Sequence, residues 1–208
     1  MDEYKIFARI YDPVLYLVLH KIRKKVVEVV RSCNPSSIID ICCGTGNQLR
    51  YLKKSGFHNV TGIDLSQSML QQVEKGGEQV KCDKQDATEL RFNDDSFDMG
   101  IISFALHEKP LDVAGKILDE ARRVIQPGGH LIVVDYTFEN GAKLHVKLAI
   151  RIVERFAGKE HHRFFKNYIK YGGMDQLIRG CNLVKEFRFH AGATSMRLYQ
   201  VDQYGHYA

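Results

Sequence analysis

Apolar residues at spacings of three and four open the chain: Leu15, Leu19, Ile22, Val26 and Val29–Val30 predict a helix from Pro13 to about Arg31. The period then shortens. Compact β-branched runs over 36–42, 59–64, 79–82, 97–103 and 130–136 read as strands. Between them lie helical patterns beginning near Asn47, running from Ser66 to about Glu74, and from Leu111 to Ile125. Gln126-Pro127-Gly128-Gly129 reads as a tight stop before the fifth strand. Apolar strands alternating with helices predict an α/β fold, a parallel sheet covered by helices on both faces.

The ending breaks that rhythm. Strands over 183–190 and 195–202 are separated only by Ala191-Gly192-Ala193-Thr194. A parallel crossover needs about a dozen residues or more, so these two must form an antiparallel hairpin. The expected architecture is a seven-stranded, mostly parallel sheet ending in an antiparallel hairpin. With 208 residues and no linker, one domain is expected, with residues 1–31 as a helical cover and 141–180 as a helical insert or acceptor lid.

Composition narrows the function classes. A 44% apolar and 26% charged chain suits a folded soluble protein, and no run approaches the roughly 18 apolar residues of a membrane span. The first residues carry acids and lack a continuous apolar core, so they do not read as a secretory signal, and a cytoplasmic location is expected. Five irregularly spaced cysteines suit free thiols rather than a disulfide framework, and no CxxC or HExxH suggests a metal; none is expected. The net charge of +5 is concentrated: residues 141–170 hold eight lysines and arginines against two glutamates.

The chemistry is concentrated in Ile39-Asp40-Ile41-Cys42-Cys43-Gly44-Thr45-Gly46-Asn47, an acid at a strand end, a two-glycine turn and a helix start. Gly44 and Gly46 let backbone approach a ligand closely, and the helix start offers unpaired N–H groups. Asp40 can accept from an ammonium group over the turn. Asp64, eighteen residues beyond Gly46, ends the second strand, where a carboxylate can chelate ribose hydroxyls. Asp86-Ala87 follows the third strand, placed to hold an adenine amine. Each feature alone has an ordinary reading as a turn or cap; together they fall at the C-terminal ends of successive strands, where open α/β sheets bind ligands. A dinucleotide fingerprint would need glycine where Leu49 stands, and no GxxxxGK[ST] cradles a triphosphate.

These motifs resemble the class I S-adenosylmethionine-dependent methyltransferases, and most of all the group containing the ubiquinone/menaquinone-biosynthesis C-methyltransferases. The similar stretches are IIDICCGTGN, VTGIDLSQSML, DATELRFNDDSFDMGIIS and LDEARRVIQPGGHLIVVDY, together spanning about 38–136. The resemblance implies a Rossmann-like fold, a methyltransferase activity and S-adenosylmethionine as cofactor. It further implies that Asp40, Cys43, Gly44 and Gly46 hold the methionine end, Asp64 the ribose, Leu65 and Met69 the adenine faces, and Asp86 with Ala87 its edge. Ser103 and Phe104 would line the methyl-transfer face. Cys42 stands where many members have a further glycine.

On the acceptor side His107 is the candidate general base, facing the cleft from the end of the fourth strand; a loop-capping role is the plain alternative. Tyr4 and Tyr11 precede the sheet, where similar segments in the family fold over the cofactor. His161, His162 and Tyr168 lie in the insert, the family's usual place for acceptor contacts. Lys143, Lys147, Arg151, Arg155 and Lys159 recur every four residues beside Leu144, Leu148, Ile152 and Phe156, a basic amphipathic helix. Two readings stand for it: peripheral contact with an anionic membrane, suiting a lipid or quinone acceptor, or a solvated helix roofing the site. Nucleic acid fits less well, since no recognisable binding module accompanies the patch. The expected partner is a small-molecule or lipid-like acceptor, and a homodimer is left open. His107-Glu108 departs from the arginine-asparagine pair of the quinone enzymes, so the acceptor does not follow from the cofactor. A cofactor-binding regulatory module without turnover is the alternative.

Overall fold

The structure is a computed structural model and describes residues 7–75, 80–138, 142–156 and 158–202, with side chains of the first helix described from Leu19 onward. Seven strands form one sheet: β1 (Ile38–Ile41), β2 (Val60–Asp64), β3 (Lys81–Lys84), β4 (Phe97–Ser103), β5 (Ile125–Tyr136), β6 (Cys181–Phe189) and β7 (Thr194–Val201). Their order is β3-β2-β1-β4-β5-β7-β6. The first five run parallel, while β7 lies antiparallel to both β5 and β6. The order reverses direction at β1 and β4, opening a crevice beyond their C-terminal ends.

The helices are α1 (Phe7–Cys33), α2 (Asn47–Lys54), α3 (Gln67–Lys75), α4 (Leu111–Val124), α5 (Leu144–Phe156), α6 (Lys159–Tyr171) and the single turn α7 (Met174–Leu177). Alternation along each central strand feeds two cores. Ile132, Val134, Ile101 and Met99 face Leu19, Ile22, Val26 and Val30 of α1 and Leu49 and Leu52 of α2. Leu131, Val133, Ile102 and Ile39 face Ala114, Ile117, Leu118 and Ala121 of α4 and Tyr168 of α6. Each valine, leucine, isoleucine or methionine among them contributes about 1.5–3 kcal/mol when removed from water. Helix α4 follows Pro110 at its N-cap, with Asp112 in its first turn and Arg122 and Arg123 in its last, charges that complement its dipole.

Two boundaries differ from the sequence pattern. Strand β3 starts at Lys81, later than the expected Gln79. The expected stop at Gln126–Gly129 is instead part of β5. There Phe97 pairs with Ile125 and Met99 with His130, so the extra residues are absorbed as a bulge, with Gly128 at φ 79°. The basic stripe is also interrupted. Gly158, at φ 131°, separates α5 from α6, so Lys159 does not continue the helix that carries Arg155.

Candidate functional site

A cleft of about 760 Å³ opens at the C-terminal ends of β1, β2 and β4. That volume falls in the range of cofactor sites. Its floor is the glycine turn. Gly44 and Gly46 take φ values of 55° and 71°, a region where glycine has no Cβ penalty. At Gly46 a Cβ would also come within 3.1 Å of Val73. Cys42 holds φ 59° without that freedom, a cost of about 1 kcal/mol or more.

Side chains then fix the turn. Asp64 accepts from the Gly44 amide through Oδ2 and from the Ser66 amide through Oδ1, both at 2.8 Å. One carboxylate thereby ties the turn after β1 to the start of α3. Its pKa is raised, chiefly by burial, with the two amide donors pulling the other way. Arg50 adds a second tie that sequence reasoning missed. Its guanidinium donates to the Thr45 carbonyl (2.8 Å) and to the carbonyls of Gln72 (3.2 Å) and Val73 (3.0 Å), joining turn, α2 and α3.

Asp40 is 2% exposed at the turn's edge. Burial, and then the neighbouring charge of Asp64, push its carboxyl up to about 8, against the pull of Arg23. Such a carboxyl is protonated at neutral pH until a cation arrives beside it. Asp86 is the opposite case. It is exposed, accepts from the Thr88 amide (2.9 Å) and hydroxyl (2.7 Å), and is held below the usual carboxylate range by those donors.

Of the residues expected to bind cofactor, Asp40, Cys43, Gly44, Asp64, Leu65, Met69, Asp86, Ala87, Ser103 and Phe104 all line the cleft. Gly46 shapes the turn from behind and is not on the lining. Phe104 sits at φ 54° with its amide donating to the Val134 carbonyl at 2.7 Å, a strained position that brings its ring to the wall. Leu19, Ile22 and Arg23 of α1, together with Lys109, Glu160 and Phe164, also line the cleft and were not expected. They come from segments far apart in sequence and carry no local motif.

On the acceptor side the placement differs from expectation. His107 does not face the cleft: it is 3% exposed and lies behind the wall. Asp135 holds it there, at 2.6 Å from Nδ1, while also accepting from the Leu106 and His107 amides. Burial works against its cation, but the charges of Asp135, Glu154 and Glu108 prevail and raise its pKa to about 9. An imidazolium at neutral pH has no lone pair with which to take a proton from an acceptor. His161 lines the cleft, with Nε2 at 2.8 Å from Glu154. His162 faces away, into a groove between α5 and α6, stacked near Phe165. Tyr168 is fully buried in the core, because its ring fills the space between α6 and α4. Tyr4 lies outside the described residues, and Tyr11 falls in α1 where only the backbone is described.

Comparison with known proteins agrees with this geometry. Residues 38–129, the segment holding β1 through the start of β5, match the family described as methyltransferase domain. A demethylmenaquinone methyltransferase of Staphylococcus aureus (strain JH9) is 30% identical over 86% of this chain and 82% of its own length. The Thermotoga maritima protein of the same name is also 30% identical, and there the chain spans 61% of the relative's length. In fold, the S-adenosylmethionine-dependent methyltransferase of Clostridium acetobutylicum superposes with a TM-score of 0.63 at 17% identity, covering 96% of this chain and 99% of that one. With a relative 30% identical over most of both chains, and a glycine turn, strand-end carboxylates and a reversed seventh strand in its own fold, the chain belongs to the class I S-adenosylmethionine-dependent methyltransferases, in their menaquinone-methyltransferase-like group.

Proposed function

We propose that this methyltransferase acts on a small, quinone-like or otherwise lipid-like acceptor, which enters the cleft between Phe104 and the α6 residues His161 and Phe164. The observation that carries the reading is the continuity of one cleft from the glycine turn to that aromatic wall. The demethylmenaquinone methyltransferase relatives support the acceptor class.

The residues on the cofactor side fit an adenosyl amino acid on chemical grounds. Asp40 is a buried carboxyl whose charge is suppressed, so an ammonium group beside it would restore ionisation. The turn at Gly44 offers backbone without side-chain obstruction, with nothing within 4 Å of where its Cβ would stand. Asp64 takes the ribose hydroxyls, Leu65 and Met69 flank the base, and Asp86 with Ala87 meets its edge. Cys43 packs under the methionine end. Bound there, S-adenosylmethionine supplies a methyl group already activated on a positively charged sulfur. The protein's part is to hold acceptor and methyl in line and to exclude water. Alignment of that kind can lower a barrier by about 7–11 kcal/mol in favourable cases. Ser103 and Phe104 form the face where acceptor meets methyl.

The surface of α5 and α6 suits an acceptor drawn from a membrane. Leu144 (78%), Leu148 (56%), Ile152 (48%) and Val153 (55%) are exposed apolar side chains. Arg151, Arg155, Lys166 and Lys170 border the groove between the two helices, and the pairing of cations with apolar side chains matches an anionic bilayer surface. No helix among the described residues is long and apolar enough to cross a membrane.

Calorimetry with S-adenosylmethionine and its demethylated product tests the cofactor side. Transfer of labelled methyl to a short-tailed demethylated naphthoquinol tests the acceptor. Binding of the cofactor with turnover of the quinol is expected; binding without turnover of any quinol or phenol would overturn the acceptor reading.

A further inference from the structure

In and behind the α6 side of the cleft lies a cluster of histidines and carboxylates that the cofactor chemistry does not use. His107, Glu108 and His161 each offer one ligand atom, and those atoms lie within 4.8 Å of one another; no other such group of three occurs among the described residues. Two come from the loop after β4 and one from α6, brought together only by the packing of the insert on the sheet.

The surroundings are those of a site built for a cation. Asp135, fully buried, sits 2.6 Å from His107 Nδ1. Glu154, 4% exposed, sits 2.8 Å from His161 Nε2. Each imidazole thus has one nitrogen against a buried carboxylate and turns the other inward. His161 Nδ1 is 3.8 Å from Glu108 Oε2, and His107 Nε2 is 3.7 Å from Glu154 Oε2. A carboxylate backing a histidine on its non-ligating nitrogen is the recurrent outer-shell arrangement at metal centres, where it fixes tautomer and ring orientation.

Two further observations point the same way. Glu154 Oε2 and His161 Nε2 are both buried and face each other at 2.8 Å. Three carboxylates, those of Asp135, Glu154 and Glu108, surround the two imidazoles. The ammonium of Lys109, 2.9 Å from Glu108 Oε1, offsets one of them. Buried carboxylates gathered around imidazoles favour a cation among them, and a divalent ion bound there supplies one.

We propose that His107, Glu108 and His161 form a binding site for a divalent first-row transition metal, with Asp135 and Glu154 as its supporting shell. Two imidazoles and a carboxylate suit ions such as Zn²⁺ or Fe²⁺ rather than Mg²⁺ or Ca²⁺, which favour oxygen alone. Ligands around such an ion stand about 2.0–2.2 Å from it, so the three side chains must draw together on binding. Glu108 and His161 also line the cleft, which puts the ion's open side toward the acceptor. An oxygen atom of the acceptor, a hydroxyl or carbonyl next to the methylated position, is the group that would complete its coordination. That last step rests on the acceptor reading above; the metal site does not.

The test uses the full chain after removal of adventitious metal by chelation, without cofactor. Zn²⁺ is titrated by calorimetry, and Co²⁺ by its visible absorption, which reports the ligand geometry. One equivalent is expected to bind the unaltered protein. Glu108→Gln and His161→Gln should each weaken Zn²⁺ by at least about a hundredfold, and Asp135→Asn by about 10- to 100-fold, as supporting-shell changes do. His58→Gln, an exposed histidine elsewhere, should leave affinity unchanged. Cooperative thermal unfolding of each variant checks folding, and the two separate ligand variants guard against one of them failing to fold. A folded chain that takes up no Zn²⁺, or variants that bind it as tightly as the parent, would reduce the cluster to an ion-pair network. Because no cofactor is present, that result would leave the methyltransferase assignment standing.

Discussion

The two walls of the cleft are made in different ways. The cofactor wall comes from consecutive strand ends, and its parts are a turn, two amide-bound carboxylates and a guanidinium clamp, all tied to the backbone of the turns and of α3. The acceptor wall comes from the β4 loop and from α6, and its parts are held by side chains behind it: His161 by Glu154, and the loop that carries Glu108 by the pair of His107 and Asp135. Geometry fixed by backbone tolerates changes in neighbouring side chains. Geometry fixed by side chains depends on each link. The same fold therefore keeps one ligand constant while leaving the other open to change.

The largest effect that would test this contrast is expected at Asp64. Asp64→Ala removes two charge-assisted hydrogen bonds that organise the turn, each typically worth about 1.5–3 kcal/mol. Affinity for the demethylated cofactor should fall by at least about a hundredfold in calorimetry. Retention within about tenfold would mean that the turn holds its shape without the carboxylate.

Next in size is the pH dependence that Asp40 confers. Its folded pKa of about 8 lies above its unfolded value, so the empty protein's stability from this group is present in acid and is lost as pH rises toward 8. Cofactor binding brings a cation beside it and releases the proton. Affinity should therefore rise between pH 6 and 7.5, approaching about tenfold per unit. Asp40→Asn should flatten that slope, and a parent profile already flat would show that Asp40 is ionised before the ligand arrives.

On the other wall, Leu148→Glu with Ile152→Glu should release the protein from anionic liposomes by about tenfold at low salt, with cofactor affinity unchanged, in a vesicle sedimentation assay. Equal partition onto neutral vesicles by the parent would remove the electrostatic part of that contact. The smallest effect is expected at Tyr168, whose buried hydroxyl has no hydrogen-bond partner. Tyr168→Phe should be neutral or stabilising by up to about 1 kcal/mol, seen as an unchanged or higher midpoint of thermal unfolding.

Legibility followed the same division. The turn, Asp64 and Asp86 could be read from sequence as parts of the cleft because they sit at the ends of elements whose periodicity marks them. Arg50 was missed because its partners are carbonyls, which leave no sequence signature. His107 was expected in the cleft because its position after β4 is right; the contact that draws it away comes from Asp135 on the neighbouring strand β5. A signal existed: Asp135 is a lone acid in the apolar strand run that also holds Ile132, Val133 and Val134, and a buried charge there requires a partner. The continuation of β5 through Pro127 escaped notice because a bulge, not the local turn chemistry, decided the pairing.

The reach of Arg50 has a kinetic consequence. By fastening the loop to the ends of two helices before any ligand arrives, it charges the entropy of loop ordering to folding rather than to capture. An incoming nucleoside then meets a surface already set. Its arrival rate should be governed by diffusion and electrostatics rather than by waiting for the loop to close.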